Sequence, residues 1–196
     1  AFCNAGFDIL GTTKNTFPSL LQYAGNALVN VVIMLLIIIG GIGFLTWEDV
    51  CTNTYHFRRY RLQSKIVLVT TAVLILLPSL FFFFWNFKNL AMEERLLASF
   101  FQAVTPRTAG FNTVDIGKMA EPAQTLIIIL MLIGGSPSST AGGMKTTTIA
   151  VLFLNAFATF RSKDTVSAFH RRIDNHVIRD AATLLMLYVM LFFGGG

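Results

Sequence analysis

GGSPSSTAGGMK, residues 134–145, is the stretch on which the reading of this chain turns. Residues 122–160 around it carry one charge, Lys145, and would otherwise form a single apolar helix. In the middle stand Gly134, Gly135, Pro137, Gly142 and Gly143, with Ser136, Ser138, Ser139, Thr140 and Ala141 between them. Glycine loosens the backbone and proline removes a donor, so the helix must break here. The arm before the break, residues 123–133, is 11 residues, about 16 Å of helix. That is roughly half of a ~30 Å hydrocarbon core, so the break is expected at mid-depth. Irregular backbone at that depth is tolerated only where it is buried in protein or lines a watery path. A second glycine-centred polar stretch, TPRTAGFNTVD at 105–115, lies just upstream. Together the two predict a pathway for something polar.

Composition sets the class. Apolar residues make up 54% of the 196 and charged residues 13%, about half the charged share of an average soluble domain. Uncharged runs cover residues 18–47, 66–87, 122–144 and 181–196. Runs near 20 apolar residues predict transmembrane helices, hence an all-α polytopic membrane protein. The chain lacks an initial Met and a signal peptide and ends inside an apolar run, so it is taken as an internal piece of a longer protein. The net charge of +5 comes from basic residues flanking the spans, so no nucleic-acid partner is expected.

Enzyme readings fail on spacing. Met144 separates Gly143 from Lys145, and no glycine lies five residues before Gly142 or Gly143, so 134–145 is not a phosphate-binding loop. His56, His170 and His176 all fall in polar connections, which leaves no Ser–His–Asp arrangement. Cys3 and Cys51 lie at opposite ends of one predicted span, too far apart for a disulfide, and do not form a metal motif.

Taken in order, residues 1–8 form a polar interruption around Asn4 and Gly6, and Pro18 suits the first turn of a helix over 19–46. Gln22, Asn26 and Asn30, spaced by four, share one face of that helix, for contacts between helices or for a water-filled path. Gly40, Gly41 and Gly43 are assigned to close helix packing and given no chemistry. A charged connection over 47–65 leads to a span over 66–87 ending in Phe81–Trp85, a boundary composition. Residues 92–104 predict a short amphipathic helix with Glu93 and Glu94 in its first turn, too short to cross. Its C-terminus aims partial negative charge at the glycine loop that follows. The broken helix comes next, then a second charged connection over 161–179 and a last span from about Ala181.

The basic connections, with Arg58, Arg59, Arg61 and Lys65 in one and Arg161, Lys163, Arg171, Arg172 and Arg179 in the other, are separated by two crossings and so face one side. Positive residues concentrate in cytoplasmic loops, which puts these connections inside and the glycine loops outside. Asp8 and Asp115 just beyond the glycine loops are read first as ordinary surface charges, and second as groups that raise local cation concentration.

Ala5-Gly6-Phe7 recurs as Ala109-Gly110-Phe111, each copy followed at a similar interval by a long apolar segment, so the unit is span, half-helix, glycine loop, span. Glycine loops of this kind can replace an ion's hydration shell with backbone carbonyls, and neither loop core holds a carboxylate. TPRTAGFNT followed by GGSPSSTAGGMKTTT, with CNAGF at 3–7 and GGIGF at 40–44, resembles the Trk/Ktr/HKT superfamily of potassium transporters. The likeness is greatest to the membrane subunit of bacterial Ktr uptake systems and covers essentially the whole chain. It implies potassium-channel-like M1–pore helix/filter loop–M2 units around a pseudo-fourfold pore. Residues 1–51 would then end the second repeat, 52–65 connect, 66–160 form the third, 161–179 connect, and 180–196 begin the fourth. The resemblance implies a selectivity filter of Asn4, Ala5, Gly6 and Phe7 together with Thr108, Ala109, Gly110 and Phe111, binding K+ through backbone carbonyls. It implies a gating loop of Gly134, Gly135, Ser136, Pro137, Ser138, Ser139, Thr140, Ala141, Gly142, Gly143 and Lys145 below that filter. Ser138 departs from the glycine usual there, which is expected to stiffen the loop. K+ uptake across the cytoplasmic membrane, Na+ as a second ion, a homodimer and a cytosolic nucleotide-binding regulatory ring of the Ktr type follow from the same likeness. The alternative is a secondary transporter that binds another cation or a small organic substrate at the broken helix.

Overall fold

The computed structural model describes residues 1–7, 18–54, 56–163, 165–169 and 171–194. Expectations for Asp8, the outer stretch 8–14, Asp164, His170 and the last two glycines lie outside the described residues.

The run after Pro18 is not one helix. A 3-10 turn, Leu21–Tyr23, comes first, and Asn26 then caps α1, Ala27–Ile42, by accepting from the Val29 amide at 3.2 Å. Asn30 is buried, and its Nδ2 donates back to the carbonyls of Tyr23 (2.9 Å), Ala24 (3.2 Å) and Asn26 (2.8 Å). The predicted common face of Gln22, Asn26 and Asn30 is therefore corrected: Gln22 precedes the helix and the two asparagines shape its start. At Gly43 the chain adopts φ 95° and ψ 143°, a region that favours glycine. α2, Phe44–Asn53, leaves there at 97° to α1, so the helix expected over 19–46 ends at this corner.

α3, Leu62–Phe81, runs on through a π turn, Phe82–Asn86. At 25 residues with mean hydropathy 2.6, it is the one helix among the described residues that is by itself long and apolar enough to cross a membrane. The bent α1–α2 pair meets the same test only when taken together. α3 begins at Leu62 and not at Ile66 because α2 caps it: Asp49 accepts from the Arg61 amide at 3.0 Å and from the Ser64 hydroxyl. Arg61 adds ion pairs to Asp49 (3.5 Å) and Glu48 (3.2 Å). Asp49 lies past the corner, in the polar connection. The Ser64 hydrogen bond holds its carboxyl below the ordinary carboxylate range; burial opposes this, and the Arg61 amide and guanidinium add to it.

α4, Met92–Val104, buries Ala98, Phe101, Gln102 and Val104. Its Arg95 donates to the Phe83 carbonyl at 2.7 Å and stacks on the Phe83 ring, which fixes the short helix to the aromatic end of α3. α5, Glu121–Leu132, and α6, Thr146–Phe160, are the two arms of the interrupted helix. A two-residue hairpin, β1 Ser167–Ala168 with β2 Arg171–Arg172, precedes α7, Asn175–Gly194. α7 starts six residues before Ala181 because Ile178 already packs on the cluster of Ile66, Ala150, Val151 and Ile173.

A second cluster, with Phe82, Phe87, Ala103, Ala123 and Leu130, ties α3, α4 and α5 together at the other end. The two basic connections meet at the first end, where the Phe57 and Phe169 rings are 6.1 Å apart and Lys65 Nζ lies 5.9 and 6.0 Å from them.

Candidate functional site

Both glycine loops have the same backbone rhythm. Asn4 (φ 48°) and Gly6 (φ 66°) in one loop match Thr108 (φ 70°) and Gly110 (φ 79°) in the other, while Ala5, Phe7, Ala109 and Phe111 keep negative φ. Alternation of positive and negative φ turns successive carbonyls toward one side of an extended loop, the arrangement that carbonyl coordination of an ion needs. The end of α4 closes the second loop on itself. The Thr105 carbonyl accepts from the Ala109 and Gly110 amides at 3.2 Å each, and the Thr105 hydroxyl donates to the Phe111 carbonyl at 2.6 Å.

The two loops touch. A Cβ on Gly6 would collide with the Ala109 carbonyl, whereas one on Gly110 would sit 3.8 Å from Gly6 Cα. Gly6, Thr108, Ala109 and Gly110 also line one cavity of about 390 Å³ with Gln102 and Thr105. Beyond the loops, Ser19 and Leu20 pair with Asn112: the Asn112 amide donates to Ser19 Oγ at 2.8 Å and the Leu20 amide to the Asn112 carbonyl at 2.9 Å. The copies differ at their ends, with Phe7 81% exposed and Phe111 packed near Ile37 and Val104.

The 133–145 segment is irregular but its backbone is largely satisfied. The Gly134 amide donates to Met144 O (2.9 Å), Gly135 to Gly142 O (3.2 Å) and Thr146 to Gly135 O (3.1 Å), and the buried Ser136 and Thr146 hydroxyls meet at 3.0 Å. A Cβ on Gly134 would strike the Gly142 carbonyl, while Gly142 has open space around it. The segment lies against the second glycine loop, since a Cβ on Gly143 would be 3.6 Å from Thr108 Cγ2. Ser138 takes φ 59° with its side chain exposed, a conformation that costs serine about 1 kcal/mol and glycine almost nothing. Lys145 folds back, its ammonium donating to the Ala141 carbonyl at 2.9 Å.

The close packing expected of Gly40, Gly41 and Gly43 is present, since a Cβ on Gly40 would strike Phe2 O and one on Gly43 Pro137 O, but the partner is irregular backbone and not a helix, and the corner also supplies hydrogen bonds. Gly43 turns α1 away before its last carbonyls find helical partners. Those carbonyls accept from elsewhere: Ile39 O from Trp47 Nε1 (2.9 Å), Gly41 O from the Ser136 amide (2.9 Å), and Gly40 O from the Thr140 amide (3.2 Å). The Phe44 amide in turn donates to Ser138 O at 2.9 Å. Only the clustering of three glycines within four residues hinted at this role.

Gln102 was also missed. It is 0% exposed, lines the loop cavity, and has neither amide atom paired among the described residues. Its signal was a polar amide on the apolar face of α4, where the other buried polar side chain, Ser99, is paired to the Arg95 carbonyl. Asp115 is occupied locally, accepting from the Gly117 amide at 3.1 Å and pairing with Lys118 at 3.3 Å. Cys3 and Cys51 are both free and exposed, and no group of three His, Cys, Asp or Glu side chains among the described residues is placed to hold a metal.

The family model described as TrkH, cation transport protein, matches residues 1–194. The chain is 38% identical to the potassium/sodium uptake protein NtpJ of Enterococcus hirae, aligning 97% of this chain and 42% of that protein. It is 37% identical to Ktr system potassium uptake protein B of Bacillus subtilis, aligning 100% of this chain and 44% of that one. The crystal structure of the potassium transporter TrkH from Vibrio parahaemolyticus superimposes with TM-score 0.76 at 17% identity, over 98% of this chain and 42% of that chain. The chain thus spans less than half the length of the relatives it matches.

Proposed function

Since the chain belongs to the TrkH family of cation transport proteins, we propose that it forms the second and third quarters of the path in a potassium uptake protein of the cytoplasmic membrane. Asn4, Ala5, Gly6 and Phe7 supply one filter segment, and Thr108, Ala109, Gly110 and Phe111 supply the next. Both offer backbone carbonyls to K+. The observation that carries the reading is the paired alternation of φ at Asn4/Gly6 and Thr108/Gly110 in loops that touch. Two further filter segments come from the rest of the longer protein, completing a pseudo-fourfold ring.

Residues 134–145 are the gate. An ion that leaves the filter past Thr108 meets Gly143 next, and the small residues there can move at low steric cost. The basic connections face the cytoplasm, by their charge and by their meeting at one end through Phe57, Lys65 and Phe169. They are the surfaces on which a cytosolic nucleotide-binding ring docks, beneath a homodimer of the membrane subunit. If reversing the charge of Arg171 and Arg172 leaves partner capture and membrane orientation unchanged, docking there is refuted.

Gly110→Ser in the full-length protein tests the filter. The added side chain disfavours φ 79° and tilts a carbonyl off the ion. Potassium-over-sodium preference in uptake by reconstituted vesicles is expected to fall. Unchanged potassium affinity and sodium exclusion would remove Gly110 from the filter.

A further inference from the structure

The four residues at the α1–α2 corner do more than end a helix. Gly40 and Gly41 present two carbonyls with no helical donor, and both are taken by amides of the 134–145 segment. Phe44, first residue of α2, returns the bond to Ser138 O. The fit depends on bare backbone, because a Cβ on Gly43 would strike Pro137 O. Thr140 adds a side-chain contact at the same place: its hydroxyl lies 2.9 Å from Phe2 O and 3.1 Å from Gly40 O. Phe2 leads into the first filter segment, so one hydroxyl joins three parts of the chain: filter approach, corner and loop.

We infer that the α1–α2 corner, residues 40–43, is the seat on which the gating loop closes, with Thr140 as the residue that positions it. The inference rests on the gate reading above and extends it to a partner surface in the preceding repeat. Closure is a backbone dock: the loop's amides supply the donors that Gly43 denies α1. The same corner starts α2, whose Asp49 caps α3 beside Lys65 and the basic connection. A displacement of that connection by a docked regulator therefore acts on the seat through one ten-residue helix.

The test uses the full-length protein in vesicles, with Cys3, Cys51 and any cysteine beyond this chain replaced, and with Phe44→Cys and Ser138→Cys introduced. Both positions are exposed, and the 2.9 Å bond between their backbones keeps the Cα atoms within about 7 Å. Mild oxidation is expected to form the intrachain crosslink, seen by a protease site placed between residues 88 and 121. Potassium flux should then fall at least tenfold and return on reduction. Absence of a crosslink in folded protein overturns the seat while leaving the gate reading intact. A complete crosslink with undiminished flux overturns the gate reading and the seat with it.

Thr140→Val is the second arm. It keeps the side chain's shape and removes one hydrogen bond, about a fivefold shift toward the open loop. Flux without the regulatory partner should rise by that factor with potassium-over-sodium preference unchanged, and Thr140→Ser should restore the wild-type ratio. Equal behaviour of the two variants would exclude Thr140 as the positioning residue.

Discussion

The same tripeptide in the two proposed filter segments is predicted to tolerate a methyl group very differently. Gly110→Ala places alanine at φ 79°, which costs about 1–2 kcal/mol, but its methyl has 3.8 Å of clearance to Gly6 Cα. Gly6→Ala carries the same conformational cost at φ 66° and also drives its methyl into the Ala109 carbonyl. That overlap is relieved only by moving a carbonyl of the neighbouring segment, at about 1 kcal/mol for each 7° of bond angle or 12° of peptide twist. The totals are about 1–2 kcal/mol for Gly110→Ala and about 2–4 kcal/mol for Gly6→Ala. At about tenfold per 1.4 kcal/mol, Gly110→Ala weakens potassium binding by roughly one order of magnitude and Gly6→Ala by roughly one and a half to three. The assay is potassium competition for rubidium uptake by the reconstituted full-length protein, with size-exclusion chromatography as the check on folding. A Gly6→Ala protein that is folded and milder than Gly110→Ala would refute the contact between the loops as the source of the difference.

Two other expectations follow from equally local geometry. Within the proposed gating loop, Gly142→Ala is expected to leave thermal stability and flux near wild type because nothing lies within 4 Å of the added methyl, whereas Gly134→Ala should leave the loop unable to close and raise unregulated flux; similar flux in the two variants would count against the closed-loop geometry. For Asp49, the folded carboxyl is held below its ordinary range, so its stabilising effect is complete above the unfolded value of about 3.9 and is lost as pH falls through the lower folded value. Asp49→Asn should lower the melting temperature of the detergent-solubilised protein at pH 7 and flatten its decline below about pH 4; an unchanged acid limb would remove this carboxylate from the cap of α3.

What could be read from the sequence was whatever a local rule enforces. Pro137 and four glycines force a break between Ile133 and Lys145, and the helices end and restart within a residue of where that rule puts them. The 3.6-residue spacing of Leu96, Leu97, Phe100, Phe101 and Val104 gives α4 its observed bounds. The 97° corner at Gly43 was not legible, because apolar residues run unbroken across it and glycine in a span serves packing as often as bending. Asn26 and Asn30 misled for a related reason: a spacing of four suggests a shared face only if a helix already exists there, and it begins at Ala27. The partners of Gly40 and Gly41 lie about a hundred residues away, beyond the reach of any local pattern. Ser138 was expected to stiffen the loop. Its left-handed φ makes it strained, and glycine there would relieve the strain while adding freedom of about 0.4–1 kcal/mol, so the two terms nearly cancel.

The borrowed hydrogen bonds at the corner also have a consequence for water. With the loop docked, the carbonyls of Gly40 and Gly41 have protein donors. In the proposed opening the loop lifts and both would be left bare in a low-dielectric interior, which costs on the order of 1–3 kcal/mol for each unpaired group. Only water entering from the path can take over, and the freed amides of Ser136 and Thr140 need it too. On the proposed gate, opening is thus a wetting transition that joins the ion's passage to the hydration of this corner. The open state then holds more water than the closed one by at least the few molecules that replace these bonds. The balance between the two states should accordingly follow water activity, with an impermeant osmolyte favouring closure where no contact of the loop has been altered.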